Sequence, residues 1–163
     1  MQKAHPTSCQ NRGMNNPYLF QGLAAGPTIV RRIVAQIPID KHDSLTDPDR
    51  FTLREAIAHM ADWEEIDLGR IKQILDSPGS TIVPFDESER AAGQGYIHSD
   101  IYEQLDLLAM RRATLIAFLE TLPAAAWGEQ ALHPEKGVLT VYDMASLILA
   151  HDTYHIEHFT QFL

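Results

Sequence analysis

One stretch of the sequence decides the fold: residues 140–159, TVYDMASLILAHDTYHIEHF. Its first residues, Thr140 and Asp143, form an aspartate version of a capping box, which marks a helix start. At about 100° per residue, one face of that helix carries apolar side chains and then imidazoles: Met144, Leu147, Ile148, His151, His155 and His158. A buried polar group without a partner costs about 1–3 kcal/mol. Several histidines at positions where the apolar core should continue are therefore unexpected. A bound metal ion explains their presence best.

Helical segments are also predicted in the first half of the chain. Residues 17–25 favour a short helix that ends at Gly26–Pro27, and an apolar stripe over 29–37 predicts a second helical segment after it. A capping box, Thr52 with Glu55, opens a long amphipathic helix that ends before Ser77. The sequence thus predicts an interruption at Gly26–Pro27 and an uninterrupted second helix.

A long connection, residues 77–98, follows that second helix. Neighbouring helices are usually joined by about 2–8 residues, so we expect this connection to cross to the other end of a bundle. Ser99 or Asp100 then caps a third long helix that ends at Pro123, and residues 124–139 are predicted to be irregular, with one short helical turn. No stretch is predicted to form a sheet. The predicted fold is all-α, a four-helix bundle with a long crossover; the alternative is a helical domain of another topology.

Charge and composition narrow the possible partners. The chain has 163 residues, with 13 Lys and Arg against 22 Asp and Glu, and a formal charge of −9. This charge disfavours nucleic acid and anionic membrane surfaces as partners, because both repel acidic proteins. The polar residues 1–16 predict a flexible tail, and residues 17–163 predict a single domain.

Two further features bear on the compartment. Cys9 is the only cysteine, so no intrachain disulfide can form, which fits a reducing environment. No apolar run approaches the roughly 20 residues of a membrane span, and the first residues lack the apolar core of a secretory signal. We expect a cytoplasmic protein that acts on a small molecule.

A metal site needs a ligand from a second element. The spacing of His151 and His155 stacks two rings on one helical face, as in the metal pair of zinc proteases. His59, one turn before Trp63 in the second helix, is the natural further ligand, but geometry does not choose between it and His158 as the third. The alternative is that these rings are ordinary histidines, exposed or hydrogen-bonded.

Two carboxylates lie one turn on either side of His59. Glu55 and Asp62 could each accept the free ring N–H and fix its tautomer, or they could be helix-surface charges. Four loop side chains could line the mouth of the site or serve as ordinary loop residues: Asp86, Glu87, Tyr96 and His133.

Two segments resemble a known family. Residues 51–64, FTLREAIAHMADWE, resemble the S-x-R-E-x-x-x-H-L-x-D-x-E segment of DinB-like proteins, the DinB/YfiT superfamily of proposed metalloenzymes. Residues 139–156 resemble the closing helix of that family, with its H-D-x-x-H motif, and the similarity covers about residues 17–163. Thr52 replaces the common serine of the motif and Met60 the common leucine, and both exchanges should be tolerated.

The resemblance implies a four-helix bundle with an unusual crossover. It also implies a metal triad of one histidine from the second helix and two from the last, which on this chain are His59, His151 and His155. His158 is then an additional histidine, a possible extra ligand, outside the usual triad.

Three neutral imidazoles leave a divalent ion its full charge and at least one open coordination position. Such an ion lowers the pKa of a bound water to about 7 and holds a bound thiol as thiolate. Two reactions are therefore expected, hydrolysis and transfer of a thiol to an electrophile. The resemblance favours the second, because DinB-like relatives include enzymes that use low-molecular-weight thiols such as bacillithiol or mycothiol. Imidazole suits several metals, of which zinc or nickel is the expected one.

Other functions are also compatible with the sequence. A non-catalytic metal- or ligand-binding bundle would close the coordination with a fourth protein ligand. A structural or partner-binding helical domain would use the histidines only as polar residues. The resemblance also implies a possible homodimer, and the apolar segment Tyr18–Phe20 could bury against a partner or in the core of its own chain.

Overall fold

The computed structural model of the protein describes residues 16–163. The predicted tail, with Cys9, lies outside these residues except for Asn16. The described chain contains α1 (Leu19–Val34), α2 (Leu53–Asp76), α3 (Glu87–Gln94), α4 (Ile101–Glu120), β1 (Gln130–His133), β2 (Gly137–Thr140) and α5 (Val141–Thr160). The predicted helical turn before β1 is a short 3₁₀ helix, Ala124–Gly128. Over residues 16–163, no helix is long and apolar enough to cross a membrane.

The four long helices α1, α2, α4 and α5 form a bundle. Each of α1 and α2 packs against both α4 and α5. Helices that follow one another in the chain, α1 and α2, therefore lie across the bundle from each other, and so do α4 and α5. The connection from α1 to α2 and the connection from α4 to α5 therefore each run diagonally across one end of the bundle.

α2 and α4 are neighbours that run in the same direction. Near their starts, Nη1 of Arg54 donates to the carbonyl oxygen of Ser99 (2.8 Å). Near their ends, Ile74 and Leu119 belong to one apolar cluster. A tight turn cannot join parallel neighbours, so the connection 77–100 returns the chain to the other end of the bundle. The predicted four-helix bundle with a long crossover is confirmed, and the crossover also contains α3, which was not predicted.

Local sequence signals set the helix starts. Thr52 and Glu55 form the predicted capping box at the start of α2, each side chain accepting from the backbone N–H of the other residue. Thr140 and Asp143 form the same reciprocal pair at the start of α5. Asp100 caps α4 with its carboxylate. These caps fix the starts of the helices that carry the histidines and the partner helix between them.

α1 passes through the position where an interruption was predicted. The helix continues across Gly26 and Pro27, so the prediction of two separate segments is wrong. Proline lacks an N–H, which leaves the carbonyl oxygen of Leu23 without its helical donor. Arg112 of α4 supplies a donor instead, with Nη1 2.8 Å from that oxygen. A hydrogen bond from α4 therefore replaces the backbone hydrogen bond that α1 lacks at Pro27. Local sequence patterns do not reveal such a contact.

A hairpin occupies residues 130–140, where an irregular chain was predicted. β1 and β2 are antiparallel, with His133 opposite Gly137, which has a φ of 78° that favours glycine. The crossover joins this hairpin, because the Ile82 N–H donates to the carbonyl oxygen of Leu132 (2.8 Å). The prediction that no sheet forms is wrong, because strands of four residues are too short for their alternation to be read in the sequence.

A polar layer divides the core into two apolar clusters. One cluster joins the starts of α1 and α5 to the ends of α2 and α4, and the other cluster joins their opposite ends. Glu64, Arg112 and Asp152 lie between the two clusters along their respective helices and are buried. The fold therefore places buried polar groups halfway along the bundle.

Candidate metal centre

Three histidines from two helices meet beside this polar layer. His59 lies on α2, and His151 and His155 lie one turn apart on α5. Nε2 of His151 is 2.9 Å from Nε2 of His59 and 3.0 Å from Nε2 of His155. One ligand nitrogen from each ring lies within 4.8 Å of the other two. The two histidine motifs of the sequence therefore contribute to one cluster.

Aromatic side chains surround the rings of the cluster. The ring of His59 lies 4.4 Å from that of Trp63 and 5.3 Å from that of Phe51, measured between centroids. Tyr154 packs edge-on against His155 at 5.1 Å. His59 and His155 are 1% and 3% exposed. Packing against these aromatic side chains restricts the orientation of the imidazole rings.

Burial keeps the three histidines neutral. Loss of solvation and, to a lesser extent, the proximity of His151 lower the pKa of His59 to about 3. Loss of solvation also lowers the pKa of His151 to about 4. The pKa of His155 is well below its ordinary value for the same reason, with the neighbouring histidines adding to the effect. Protons therefore do not compete with a cation for the ring nitrogens at pH 7.

The donor set fits a divalent ion. Two nitrogens bound at about 2.0–2.1 Å to a tetrahedral ion lie about 3.3 Å apart, so the observed Nε2 separations would need to widen by only a few tenths of an ångström. Within residues 16–163, the Nδ1 atoms of His59 and His155 are buried and lack hydrogen-bond partners. The Nε2 of His151 contacts both other rings, but in a neutral imidazole this atom has either one proton or one lone pair, so it can form a hydrogen bond with only one of them. A cation would take up the surplus lone pairs.

The carboxylates predicted to support His59 have other partners. Glu55 accepts from the backbone N–H (3.0 Å) and the hydroxyl (2.8 Å) of Thr52. Asp62 accepts from the Arg90 guanidinium and the Tyr96 hydroxyl, both from the crossover. Among the residues that the structure describes, neither carboxylate is hydrogen-bonded to His59. Asp62 instead fixes the crossover onto α2.

His158 is close to the cluster but is not one of the three converging rings. Its ring centroid is 6.4 Å from that of His155, and burial lowers its pKa to about 4. Its Nε2 atom is buried without a hydrogen-bond partner in the described part of the chain. His158 borders the same cavity as the three, so it is placed to contact a ligand there.

The cluster borders a cavity of about 870 Å³, which is large enough for a small organic ligand. Its other walls come from the loop before α2, from the first turn of α2, from α3 and from α5, and include Arg50, Phe51, Glu55 and Glu87. Arg50 is held against α5, because its Nε donates to the Tyr154 hydroxyl (3.1 Å). Its Nη1 is also paired with the carboxylate of Glu157 (3.0 Å), so a guanidinium in an ion pair lies beside the neutral histidine cluster.

A second cavity of about 320 Å³ adjoins the first at His151, which borders both. Of the four loop side chains considered for the mouth, Glu87 borders both cavities and His133 borders the second. Tyr96 and Asp86 border neither and form structural hydrogen bonds. The site is thus a cluster of three histidines that could hold a metal ion, with two adjoining cavities.

A buried ion cluster next to the histidines was not predicted. Arg112 donates to both carboxylate oxygens of Glu64 and to both of Asp152, with distances up to 2.9 Å. One signal was available: Arg112 follows Leu108 by four residues and precedes Leu115 by three, which places it on the apolar face of α4. A charge at such a position requires partners, but the sequence does not say which carboxylates supply them.

Comparisons with known proteins agree on a family and a fold. Residues 23–159 match the DinB superfamily. The structure is similar to that of YfiT from Bacillus subtilis, described as a probable metal-dependent hydrolase with an unusual four-helix bundle topology, with a TM-score of 0.83 and 22% identity over 99% of this chain and 91% of that one. It also resembles the mycothiol-dependent maleylpyruvate isomerase, with a TM-score of 0.69 and 13% identity over 85% of this chain and 58% of that one. No curated protein sequence matches the chain significantly.

Proposed function

The chain belongs to the DinB superfamily, and we propose that it is a divalent-metal-dependent enzyme whose ion is bound by His59, His151 and His155. The proposal depends on one observation, the convergence of three neutral Nε2 atoms at the wall of a large cavity. Histidines that only filled a core would be expected to have hydrogen-bond partners, since an unpaired buried nitrogen is costly. Zinc or nickel is the proposed ion, since imidazole suits both.

Residues around the cluster have distinct tasks in this proposal. When bound, an ion with three imidazole ligands and an open position acts as a Lewis acid toward a coordinated water or thiol. Phe51 and Trp63 exclude water from one side of His59. His158 offers the unpartnered Nε2 of a neutral ring to a ligand in the cavity. Arg50, which is paired with Glu157, borders the cavity and would place guanidinium N–H donors near a polar substrate.

Transfer of a low-molecular-weight thiol to a small electrophile is the reaction that we propose first. A cavity of about 870 Å³ has room for a thiol and an electrophile together. Likeness in fold to a mycothiol-dependent isomerase supports a thiol as the co-substrate. A neutral three-histidine set also suits this chemistry, because it leaves the ion enough charge to stabilise a thiolate.

Hydrolysis is the second candidate. It is supported by the likeness in fold to a probable metal-dependent hydrolase, which extends over 99% of this chain. A non-catalytic metal-binding bundle is the third candidate, in which His158 or Glu55 would close the coordination. Both side chains border the cavity.

Metal content of natively purified protein is the first test. We expect about one divalent ion per chain in the wild type by elemental analysis, and a large loss in His59→Ala and His151→Ala. His98→Ala is a matched control, because this exposed histidine lies in the crossover and borders neither cavity. A wild type that neither retains nor takes up any divalent ion would refute the proposed function.

Turnover then separates the candidates. The metal-loaded protein would be assayed with small thiols plus an alkylating electrophile, and in parallel with activated esters and amides. Consumption of thiol that stops on chelation supports transferase activity, and hydrolysis without thiol supports the second candidate. A spectroscopic count of four protein ligands on a cobalt-substituted sample, without turnover, would support the non-catalytic alternative.

Cellular context is also part of the proposal: a small-molecule substrate, a cytoplasmic location and a possible homodimer. In the segment 18–20, Leu19 is fully buried and Phe20 packs on the core, so Tyr18, which is 68% exposed, is the side chain available to a partner. Light scattering after size-exclusion chromatography would test the dimer, and Tyr18→Ser would test whether this residue contributes.

A further inference from the structure

The second cavity is bordered by a partly buried arginine, Arg70, that is poorly satisfied. The cavity of about 320 Å³ lies between α2, the crossover, the hairpin and α5. Its apolar walls include Trp63, Phe85 and Leu147, and its polar groups come chiefly from Asp67, Arg70 and His133. Because His151 borders both cavities, a molecule that occupies the second cavity can reach the histidine cluster.

Arg70 has unused hydrogen-bond donors. Its side chain is 13% exposed, and its described hydrogen bond is a long one, from Nη1 to Oδ1 of Asp67 at 3.4 Å. Its Nε is buried without a partner in residues 16–163. Arg112 in the same bundle donates five hydrogen bonds. A partly buried guanidinium with spare donors, one of them a buried Nε–H, is arranged for an acceptor that is not part of the described chain.

His133 adds a second donor to the same cavity. Its Nδ1 accepts from the backbone N–H of Glu135 at 3.2 Å. Burial and the nearby cations Lys136 and Arg70 lower the pKa of His133, so the ring is neutral at pH 7. A neutral ring that accepts at Nδ1 carries its proton on Nε2. The cavity thus presents N–H groups from two side chains.

Arg70 is the least exposed cation around the cavity. Glu87, Glu135 and Lys136 also border the cavity but are exposed to solvent, which screens them. Asp67 is the buried carboxylate beside Arg70, and burial raises its pKa to about 7. Asp67 therefore neutralises Arg70 only partly near neutral pH. The buried part of the cavity favours an anionic, acceptor-rich group.

We propose that the second cavity binds a carboxylate of the substrate or co-substrate through Arg70, with His133 as a second donor. This inference rests on the proposed function, because it assigns the reactive end of the same molecule to the histidine cluster. The substrate class is then a small carboxylic acid whose reactive atom is separated from its carboxylate by a short apolar chain, which Trp63 and Leu147 can contact. Arginine is suited to this task, since its fork matches both carboxylate oxygens.

Thiols with a carboxylate at the other end are suitable probes. The cobalt-substituted protein would be titrated with ω-mercaptocarboxylates of two to six carbons and with alkanethiols of matched length, following the thiolate-to-cobalt absorption band. At the best chain length, we expect the carboxylate to bind about 10- to 100-fold more tightly than its alkanethiol. Arg70→Gln should bring this ratio close to one without changing the affinity for the alkanethiol.

Two further variants make the result specific. Arg111→Gln is the matched control: it removes a partly exposed arginine that borders neither cavity, and the ratio should stay at the wild-type value. Arg70→Lys keeps the charge but loses the fork, so the ratio should fall severalfold. This variant also serves if Arg70→Gln does not fold. Equal affinity for carboxylates and alkanethiols at every length, or a ratio that survives in both Arg70 variants, would overturn the inference.

A metal-independent measurement separates this inference from the proposed function. Butanoate would be titrated into metal-free protein, with butanamide as the neutral control, while the Nε–H resonance of Arg70 is followed by NMR. A saturable chemical-shift change of that resonance with butanoate, but not with butanamide, supports the carboxylate site even if no ion binds to the histidines. No movement with butanoate would overturn the site, whatever the metal analysis shows.

Discussion

Two buried polar regions lie side by side in this bundle, and they differ in how well their atoms are satisfied. Around Arg112, a guanidinium is fully hydrogen-bonded to Glu64, Asp152 and a backbone carbonyl. In the histidine cluster, neutral nitrogens converge and buried ring atoms lack partners among the described residues. His151 and Asp152 are adjacent in sequence yet belong to different regions. Polar side chains whose hydrogen bonds are all formed stabilise the fold, whereas converging nitrogens without hydrogen-bond partners indicate a binding site for a ligand.

This comparison predicts the largest effect for the satisfied region. Arg112→Met would leave Glu64 and Asp152 buried without their cation, and we expect a loss of about 3–5 kcal/mol in the free energy of unfolding. Urea denaturation of the metal-free protein measures this. Arg111→Met is the control: its ion pair is with the exposed carboxylate of Glu65, and with its hydrogen bond to the carbonyl oxygen of Ala61 the side chain should contribute about 1–2 kcal/mol. Similar losses in the two variants would mean that the Arg112 cluster has no special structural role.

In the histidine cluster, the effect of a substitution should depend on metal. His151→Ala removes a half-buried ring, so the unfolding free energy of metal-free protein should change by only about 1 kcal/mol. Zinc at a hundredfold excess over its dissociation constant should stabilise the wild type by about 2.7 kcal/mol, and His151→Ala should lose this gain. Thermal melts with and without zinc, with His98→Ala as control, measure the difference. A zinc effect that is equal in wild type and His151→Ala would contradict the assignment.

Acid should destabilise the histidine region more than the ion cluster. The folded-state pKa of His59 is about 3 and that of His151 about 4, below the ordinary value of about 6.5. The unfolded chain therefore takes up protons first, and stability is lost as pH falls below about 6.5. Between pH 7 and 5 the metal-free protein should lose at least about 2 kcal/mol. The raised pKa of Asp67 has the opposite effect: its protonation stabilises the folded state as pH falls over the same range. Only one proton is involved, so the histidines should dominate.

Urea midpoints measured every half pH unit would reveal this slope. His151→Ala should make the slope shallower, because one neutral buried ring has been removed, and His98→Ala should leave it unchanged. A wild-type stability that rises on acidification from pH 7 to 5 would show that Asp67, and not the histidines, controls the response.

The smallest predicted effect concerns the fit of α1 against the ion cluster. A Cβ atom at Gly26 would lie 2.1 Å from Oδ2 of Asp152, so Gly26→Ala must displace the carboxylate and should cost about 1–2 kcal/mol. Gly69→Ala on α2 is the matched control, because a Cβ there meets no atom within 4 Å. It should be neutral or stabilise the helix by up to about 1 kcal/mol. Equal denaturation midpoints for the two variants would show that α1 can adjust.

Local and periodic signals allowed much of the fold and the cluster to be predicted. Capping boxes at Thr52 and Thr140 and the length of the crossover predicted helices and connections that the structure contains. The facing positions of His151 and His155 follow from helical geometry. Pairing them with His59 needed the family resemblance, because residues from different helices have no fixed spacing in the sequence.

What the sequence did not reveal depends on contacts between elements. Pro27 predicts a break in the helix unless another residue donates a hydrogen bond to the carbonyl oxygen of Leu23. The residue that does so, Arg112, lies far along the chain. The partners of Asp62 come from the crossover, whose path could not be predicted. The hairpin is held partly by pairing with the crossover, which likewise lies outside any local window.

The crossover has a consequence for how such proteins diversify. The histidines belong to α2 and α5, whereas Phe85 and Glu87 of the crossover form part of the cavity walls. Long surface connections tolerate insertions and exchanges better than packed helices do. Sequence changes in the crossover can therefore alter the cavity wall while the histidine cluster on α2 and α5 is retained.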